Sequence, residues 1–412
     1  MANSPVTADG SVLFRKMKRA LAILLKLPLY VLAVPAVVLI RLVKPWLLVR
    51  LGSMVSNRFG HFASNTEVYL CERDAGINVP KQRYVDIFYM AEKPISNQHL
   101  ATMWKRVLRV WPAWIMAPIR RINLLIPGSA VYEIGNNTQG DRDVHNLLDQ
   151  FPPHLQFTAE EKARGEAGLR AMGIPSEAVF VCLNVRDSVY LEAHIKGDWG
   201  YHNCRDSNIQ NYVLAVEELA ERGYFVIRMG AKVREAMKST HPMVIDYAIN
   251  GMRSEFMDIY LGAKCAFCIS TGTGWDSIAE ILRRPIVYVN LIPLRYMTTS
   301  SARFITITKK HVFREQEKIL TLREILSCPD YASNSIDLIE NTPEEIRDVV
   351  IEMVERLNGT WQPHEDDEAL QKRFWEIFPT DAVDAYQGKP LHGEIRARFG
   401  AAFLRNNRDW LQ

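Results

Sequence analysis

Several clusters in this 412-residue sequence combine residue types that handle an anion or a proton. The run Ser270-Thr271-Gly272-Thr273-Gly274 follows an apolar, strand-like segment and opens a helix around Trp275 to Leu282. Small hydroxyl residues and glycines let backbone N–H groups approach an anion, and a helix N-terminus adds favourable potential for phosphate. The run fits neither the P-loop spacing nor G-x-G-x-x-G, so the fingerprints of NTPases and dinucleotide enzymes are absent. A tight turn that needs glycine for steric reasons is the plain alternative. Arg186-Asp187-Ser188 follows a second apolar segment, His202-Asn203-Cys204-Arg205-Asp206 comes soon after, and Arg228-Met229-Gly230 ends a third. Arginines at the C-terminal ends of strands in an open α/β sheet face the ligand crevice, where Arg186, Arg205 and Arg228 would pair with a diphosphate. A structural ion pair between Arg186 and Asp187 is the alternative.

Nearer the N-terminus, Arg58-Phe59-Gly60-His61 precedes Asn65 and Glu67. A histidine that titrates near neutrality can take the proton of an acceptor hydroxyl, with Glu67 as the other candidate base. A structural histidine is the plain reading. Asp141-Arg142-Asp143 has the D-x-D pattern that holds a divalent metal in some transferases, but its surroundings read as a surface loop, and no metal site is expected there. No cofactor is expected. Glu365, Asp366, Asp367 and Glu368 read as a solvated acidic run.

The elements that would position these clusters alternate strand-like runs with helical periodicity, the pattern of a parallel α/β sheet. Trp46 to Leu51, Tyr84 to Met90 and Ile122 to Ile126 are expected as strands of one half, with a helix near Asn97 to Val110. Val179 to Val185, Tyr224 to Met229, Cys265 to Ile269 and Pro285 to Val289 are expected as strands of the other, with a helix through Tyr212, Val216 and Leu219 that stops at Gly223. Asp149 to Ile174, with Pro152 and Pro153, reads as the link. Thr342, Pro343 and Glu345 predict a capping box opening a helix that ends at Gly359. The expected organisation is a membrane-associated segment over 1–45, Rossmann-like domains over 46–150 and 151–345 with a cleft between them, and C-terminal helices over 346–412.

The net charge of +3 hides an asymmetry. Residues 1–66 hold nine basic residues and one acid, whereas the remainder holds 41 basic and 46 acidic residues, a balance of −5. An acidic body argues against nucleic acid as a partner. The longest uncharged run, Leu27 to Ile40, has 14 residues and two prolines, short of the roughly 20 a span requires. The flanking cations and the absence of an A-x-A site argue against a cleaved signal peptide. A helix lying on anionic membrane lipid fits better. From Lys93 to Tyr132 there is no acid, while Lys93, Lys105, Arg106, Arg109, Arg120 and Arg121 alternate with Trp104, Trp111 and Trp114. That is the composition of an interfacial surface, or of an amphipathic helix whose tryptophans enter the core. The six cysteines, Cys71, Cys182, Cys204, Cys265, Cys268 and Cys328, are too sparse for a disulfide framework, which fits a reducing compartment. Cys265 and Cys268 form a C-x-x-C without a second pair at zinc spacing, so they read as core residues.

Taken in order, these residues resemble bacterial glycosyltransferases of the two-Rossmann-domain (GT-B) type, a family largely defined by sequence and found near surface-polysaccharide functions. The resemblance runs through Arg58-Phe59-Gly60-His61 with Asn65 and Glu67, Val185-Arg186-Asp187-Ser188 with Tyr190, and the Tyr212 helix leading to Val226-Ile227-Arg228-Met229-Gly230. It continues through Asp258-Ile259-Tyr260-Leu261, Ser270-Thr271-Gly272, Arg284-Pro285 and Asn290 to Phe403-Leu404 and Trp410-Leu411. The chain is more distantly similar to fucosyltransferase-like folds. The resemblance implies transfer of a sugar from a nucleotide-sugar donor, held by the C-terminal half, to a lipid-linked or cell-surface glycan acceptor at the inner membrane. Its candidate catalytic residues are His61, Glu67 and Asp187. Its candidate binding residues are Arg58, Gly60, Asn65, Arg186, Ser188, Tyr190, His202, Arg205, Arg228, Gly230, Asn290 and the 270–274 run. Asn184 and Cys204 depart from the family pattern, which weakens any base role for that strand. A nucleotide-sugar epimerase or hydrolase, or an inert membrane-bound scaffold, is the alternative on the same architecture.

Overall fold

A computed structural model describes residues 27–134, 142–189, 200–327, 335–384 and 388–412. The chain forms two compact units that do not follow its linear order. Of the described residues, the first takes those up to Ser56, Asn78–Pro94 and those from Trp104 to 134; the second takes Asn57–Ile77, Ile95–Met103 and those from 142 to Gln412.

In the first unit, β1 (Leu48–Met54) pairs in parallel with β2 (Tyr84–Met90). Arg50 lies opposite Asp86, and the two buried side chains form a forked pair at 2.7 and 2.6 Å. Such bidentate pairing fixes register as well as charge. A helix over 27–42, α1, sets Ala33 and Val37, four residues apart, against Val49, Leu51, Tyr89, Met116 and Ile119. The strand expected at Ile122 to Ile126 is not one. The helix α4 (Ala113–Leu124) runs into it, with Met116, Ile119 and Asn123 as its buried stripe. A five-residue apolar run has no period of its own, and the helical spacing upstream decides it. The helix expected near Asn97 to Val110 is α3 (Gln98–Val107). No helix among the described residues is long and apolar enough to cross a membrane.

The second unit contributes the 16-residue α2 (Phe59–Asp74) and a seven-stranded parallel sheet. Its strands are β3 (Phe180–Asn184), β4 (Phe225–Arg228), β5 (Val244–Ile245), β6 (Cys268–Ser270), β7 (Ile286–Tyr288), β8 (Phe304–Thr306) and β12 (Arg398–Phe399). The spatial order is β5-β4-β3-β6-β7-β8-β12. Along β3, Val181 and Leu183 enter one core and Phe180 and Cys182 the other, so alternation serves two buried faces. Cys182 lies opposite Cys268 in register, both are fully buried, and burial pushes both thiols well above their ordinary range. With Cys265 equally buried, the C-x-x-C is part of the core. A small antiparallel sheet, β10 (Lys318–Ile319), β9 (Lys310–Phe313) and β11 (Ile336–Ile339), stands apart from the parallel one.

The crossover helices include α6 (Val213–Glu221), α7 (Glu255–Lys264) and α8 (Asp276–Ile281). The capping box forms at Thr342 and Glu345 with Pro343 as the first helical residue, and the helix Pro343–Asn358 ends on left-handed Gly359. The last strand, β12, is held by a ring cluster of Phe374, Phe399, Phe403 and Trp410. The helix α5 (Ala159–Ala171) crosses α7 so closely that a Cβ on Gly165 would lie 2.2 Å from the Tyr260 ring. Gly165→Ala is therefore expected to cost about 1–3 kcal/mol through overpacking; urea unfolding that matches wild type would refute this contact.

Candidate functional site

The strand order reverses between β3 and β6. From β3 the chain builds outward through β4 and β5, then returns to lay β6 on the other side of β3. At such a switch point the loops leaving adjacent strand ends diverge and open a crevice. Asn184, at the end of β3, lies opposite Ser270, at the end of β6. The two loops are stitched together: the Arg186 N–H donates to Thr271 Oγ1 at 3.0 Å, the Asn184 amide donates to the Thr273 hydroxyl, and Arg205 donates to the Gly272 carbonyl. The N-terminus of α2 meets the same turn, since a Cβ on Gly60 would be 3.0 Å from the Gly274 Cα and 3.1 Å from Ser277 Oγ. Arg58, Gly60, Arg186, Arg205 and the 270–274 run are thereby brought together. His61 follows on α2, its Nδ1 3.3 Å from Asn65 Oδ1.

Cations concentrate here. Burial lowers the pKa of Arg205, and the charges of Arg186 and Arg58 lower it further. Lys309 is buried, donates to the Asp206 carbonyl at 2.6 Å and is itself depressed by burial. Arg186 Nε lies 3.2 Å from Asp206 Oδ1 but is not directed at it, and among the described residues the buried nitrogens Arg186 Nε and Nη2 and Arg205 Nε have no acceptor. Unsatisfied buried guanidinium donors are costly unless an anion completes them. Lys309 was not singled out in the sequence; only the fold brings it to the crevice.

The 270–274 turn itself is closed by its own side chains. Ser270 Oγ donates to Asp276 Oδ2 at 2.6 Å, the Thr273 N–H donates to the same oxygen at 2.7 Å, the Gly272 N–H to Ser270 Oγ and the Trp275 N–H to Thr273 Oγ1. The helix that follows, α8, has only six residues and places Asp276 in its first turn. The expectation that this turn offers N–H groups and a helix dipole to phosphate therefore gives way to one in which the turn shapes the crevice and the arginines carry the charge. Burial pushes the Asp276 carboxyl up to about 6, against the lowering effect of Ser270, Thr273 and Arg205. A carboxyl raised in the folded state favours folding below its unfolded pKa, and this contribution is lost as the pH rises through the folded value. Two pKa units correspond to about 3 kcal/mol. Asp276→Asn should thus gain stability relative to wild type between pH 4 and 6, with a level difference above. A pH-independent difference in urea unfolding would exclude it.

Other candidate residues lie elsewhere in the second unit. Arg228 is buried, bonded to Asp246 at 2.9 Å and to the Glu235 carbonyl at 2.6 Å, so its charge is consumed beneath the β4 end rather than presented to the crevice. Asp187 accepts from the N–H groups of Val189 and Arg234, and Ser188 Oγ from Arg234, which makes this a loop brace. The Arg186–Asp187 ion pair gives way to Arg186 beside Asp206. Gly230 makes room for Val233. Asn290, in a left-handed conformation (φ 55°), donates its N–H to Asn341 Oδ1 at 2.9 Å and accepts the Asn341 N–H on its own Oδ1 at 2.6 Å. Tyr190 and the His202 side chain lie outside the described residues, as does Asp141 of the D-x-D. Asp143 is buried and accepts from the N–H groups of Leu147 and Leu148, the work of a cap rather than of a metal ligand.

Glu67 is buried away from the crevice. Its Oε1 accepts from Arg283 at 2.7 Å and lies 3.2 Å from both the backbone N and Nδ1 of His154, whose Nε2 is 2.9 Å from Asp74. Glu67, Cys71 and His154 cluster as metal ligands do, but Arg283 Nη2 also reaches Cys71 Sγ at 3.5 Å, so a guanidinium holds the position a cation would take. Burial and the Glu67 charge push the Cys71 thiol up to about 12, so it stands beside Glu67 and Arg283 as a neutral group. Burial alone would lower the His154 pKa, but the bonds to Glu67 and Asp74 outweigh it and hold it above the ordinary value. That stabilisation is complete below the unfolded pKa near 6.5 and is lost as pH rises through the folded pKa. His154→Ala should cost about 1–3 kcal/mol at pH 6, and less in alkali; equal costs at both pH values would contradict the pairing.

No family model matches the chain, and no curated protein matches it in sequence. Among solved structures, it is similar to the E. coli ADP-heptose LPS heptosyltransferase II, at 13% identity over 75% of this chain and 98% of that one, with a TM-score of 0.41. It is also similar to a glycosyl transferase family 9 protein from Veillonella parvula, at 10% identity over 58% and 79%, TM-score 0.36. A UDP-N-acetylglucosamine 2-epimerase-type protein from Listeria monocytogenes follows at 6% identity over 76% and 90%, TM-score 0.33. Likeness at this level carries nothing about activity.

Proposed function

We propose that the protein is a glycosyltransferase of the GT-B type, and that the second unit holds the diphosphate of a nucleotide-sugar donor at the ends of β3 and β6. The observation that carries this reading is the half-buried pair Arg186 and Arg205 at the strand-order reversal, whose Nε atoms and Arg186 Nη2 are out of solvent and have no acceptor among the described residues. An anion with several oxygens would satisfy them, and the neighbouring Arg58 and Lys309 raise the local potential.

In the transfer, an acceptor hydroxyl oxygen bonds to the anomeric carbon while the bond from that carbon to the diphosphate oxygen breaks. The leaving oxygen takes the electron pair, and the guanidinium groups stabilise the negative charge that develops there. His61, held at the N-terminus of α2 and oriented by Asn65, takes the acceptor proton. Four basic side chains supply the charge that a divalent ion supplies elsewhere, so the proposed reaction is metal-independent. The proposed acceptor is a lipid-linked or cell-surface glycan, met at the cytoplasmic face of the inner membrane. An acceptor of that kind suits the basic, apolar N-terminal sequence.

The test is a thermal-shift series with UDP, GDP, CMP, ADP and dTDP, with and without EDTA. A ligand at 100 times its dissociation constant stabilises the fold by about 2.7 kcal/mol. One nucleotide should stabilise wild type irrespective of EDTA, and Arg186→Ala and Arg205→Ala should each weaken its binding about 10- to 100-fold. Arg314→Ala, at an exposed ion pair, should bind as wild type does. His61→Ala should retain nucleotide binding and lose transfer. Unchanged nucleotide affinity in both crevice arginine variants would refute the donor site.

A further inference from the structure

We infer that the first unit carries a docking surface for an anionic phospholipid bilayer, formed by α1, the residues following it and the C-terminal end of α4. The inference is independent of the donor site and stands whether or not the second unit transfers a sugar. Helix α1 is apolar around its circumference: Ala33 and Val37 are buried in the unit, while Leu32, Leu39 and Leu42 on the rest of the helix are 69, 60 and 65% exposed. Trp46 is 76% exposed, Trp114 on α4 is 62% and Leu125 at its end is 80%. A helix apolar on all sides requires an apolar neighbour on each, and the described residues of the unit supply one on a single side.

Side-chain bonds tie α1 to the C-terminal end of α4. The Arg41 guanidinium donates to Asn123 Oδ1 at 2.9 Å and to the carbonyls of Asn123, Ile126 and Pro127, closing the end of α4 against the end of α1. Arg121 on α4 donates to the Tyr30 hydroxyl on α1 at 2.6 Å. Arg41 is thus spent on structure, whereas Arg121 is exposed and Lys44 lies beside α1 over the Tyr132 ring. Residues 93–132 contain no acid, and Glu133 is paired with Arg120.

Charge selects the occupant. A second copy of the chain docked symmetrically on this face would set basic residues against basic residues, whereas an anionic leaflet is complementary to them. The exposed tryptophans suit the headgroup level. No helix among the described residues is long and apolar enough to cross a membrane, and the described part of α1 packs along one side against Val49, Leu51 and Tyr89. With one side packed on the unit, it lies along the surface.

The experiment is flotation of the full-length protein with phosphatidylcholine vesicles and with vesicles in which a third of the lipid is phosphatidylglycerol. Wild type should partition at least tenfold more strongly onto the anionic vesicles. The double variant Leu32→Asp/Leu39→Asp should lose at least tenfold on both, while Lys44→Glu/Arg121→Glu should lose the preference for phosphatidylglycerol. Leu214→Asp, exposed on the second unit, should partition as wild type does. All three alter exposed or half-exposed side chains, and unchanged thermal unfolding would show that the fold is intact. Failure of the wild type to float with anionic vesicles, or flotation that none of these substitutions reduces, would overturn the inference. So would a dimer in sedimentation that Leu32→Asp/Leu39→Asp dissociates and vesicles leave intact.

Discussion

The second unit depends on one constraint, the reversal of strand order beside β3. Parallel strands all end on the same side of the sheet, and only where crossovers leave in opposite directions does the chain fail to cover those ends. Here the uncovered ends belong to β3 and β6, which register Asn184 against Ser270. The loop after β3 therefore carries Arg186 into the gap, and the later segment ending at Arg205 folds back over the loop after β6, as its bond to the Gly272 carbonyl shows. Their meeting is a property of topology, since the two arginines are far from the 270–274 run in sequence and adjacent to it in space.

Holding these cations together costs free energy. Arg186, Arg205 and Arg58 repel one another, Arg205 is half-buried, and the buried Lys309 adds a fourth cation. Asp206 and Asp276 temper the field without quenching it: Asp206 lies beside Arg186 in poor alignment, and Asp276 is committed to Ser270 and Thr273. A site whose positive charges are held in place before the anion arrives has no reorganisation left to do when charge develops. The same charges would be released from mutual repulsion by a bound diphosphate, so ligand and fold stabilise one another.

Sequence made local features legible wherever the cause was local. Thr342, Pro343 and Glu345 specify their helix start because all partners lie within four residues, and Gly359 its end because only a left-handed residue continues the chain there. The β3 strand was legible because it is apolar on both faces. Arg186 and Arg228 could not be told apart, since both close a strand. What separates them is Asp246, which neutralises Arg228 from 18 positions downstream, while the carboxylate nearest Arg186 is misaligned. Ile122 to Ile126 misled because its apolar residues also fit a helix, and β2 already meets Val110 and Glu133 lies at β1, leaving no place for another full strand there.

The position of α2 has a consequence for chemistry. Its sequence precedes β2 of the first unit, yet its contacts place it with the second. Arg283, itself in a left-handed backbone conformation (φ 64°), binds Glu67 on α2, and Ser64 donates to Glu280 at 3.3 Å. At the helix start, Gly60 seats against Gly274 with no room for a side chain. A helix fixed at its start by close backbone approach and at its middle by a buried ion pair cannot rotate or slide without breaking one of them. His61 is consequently fixed relative to the turn to which Arg205 is bonded. Glu67, which in sequence looked like a competing base, is the residue that holds the histidine's helix in place.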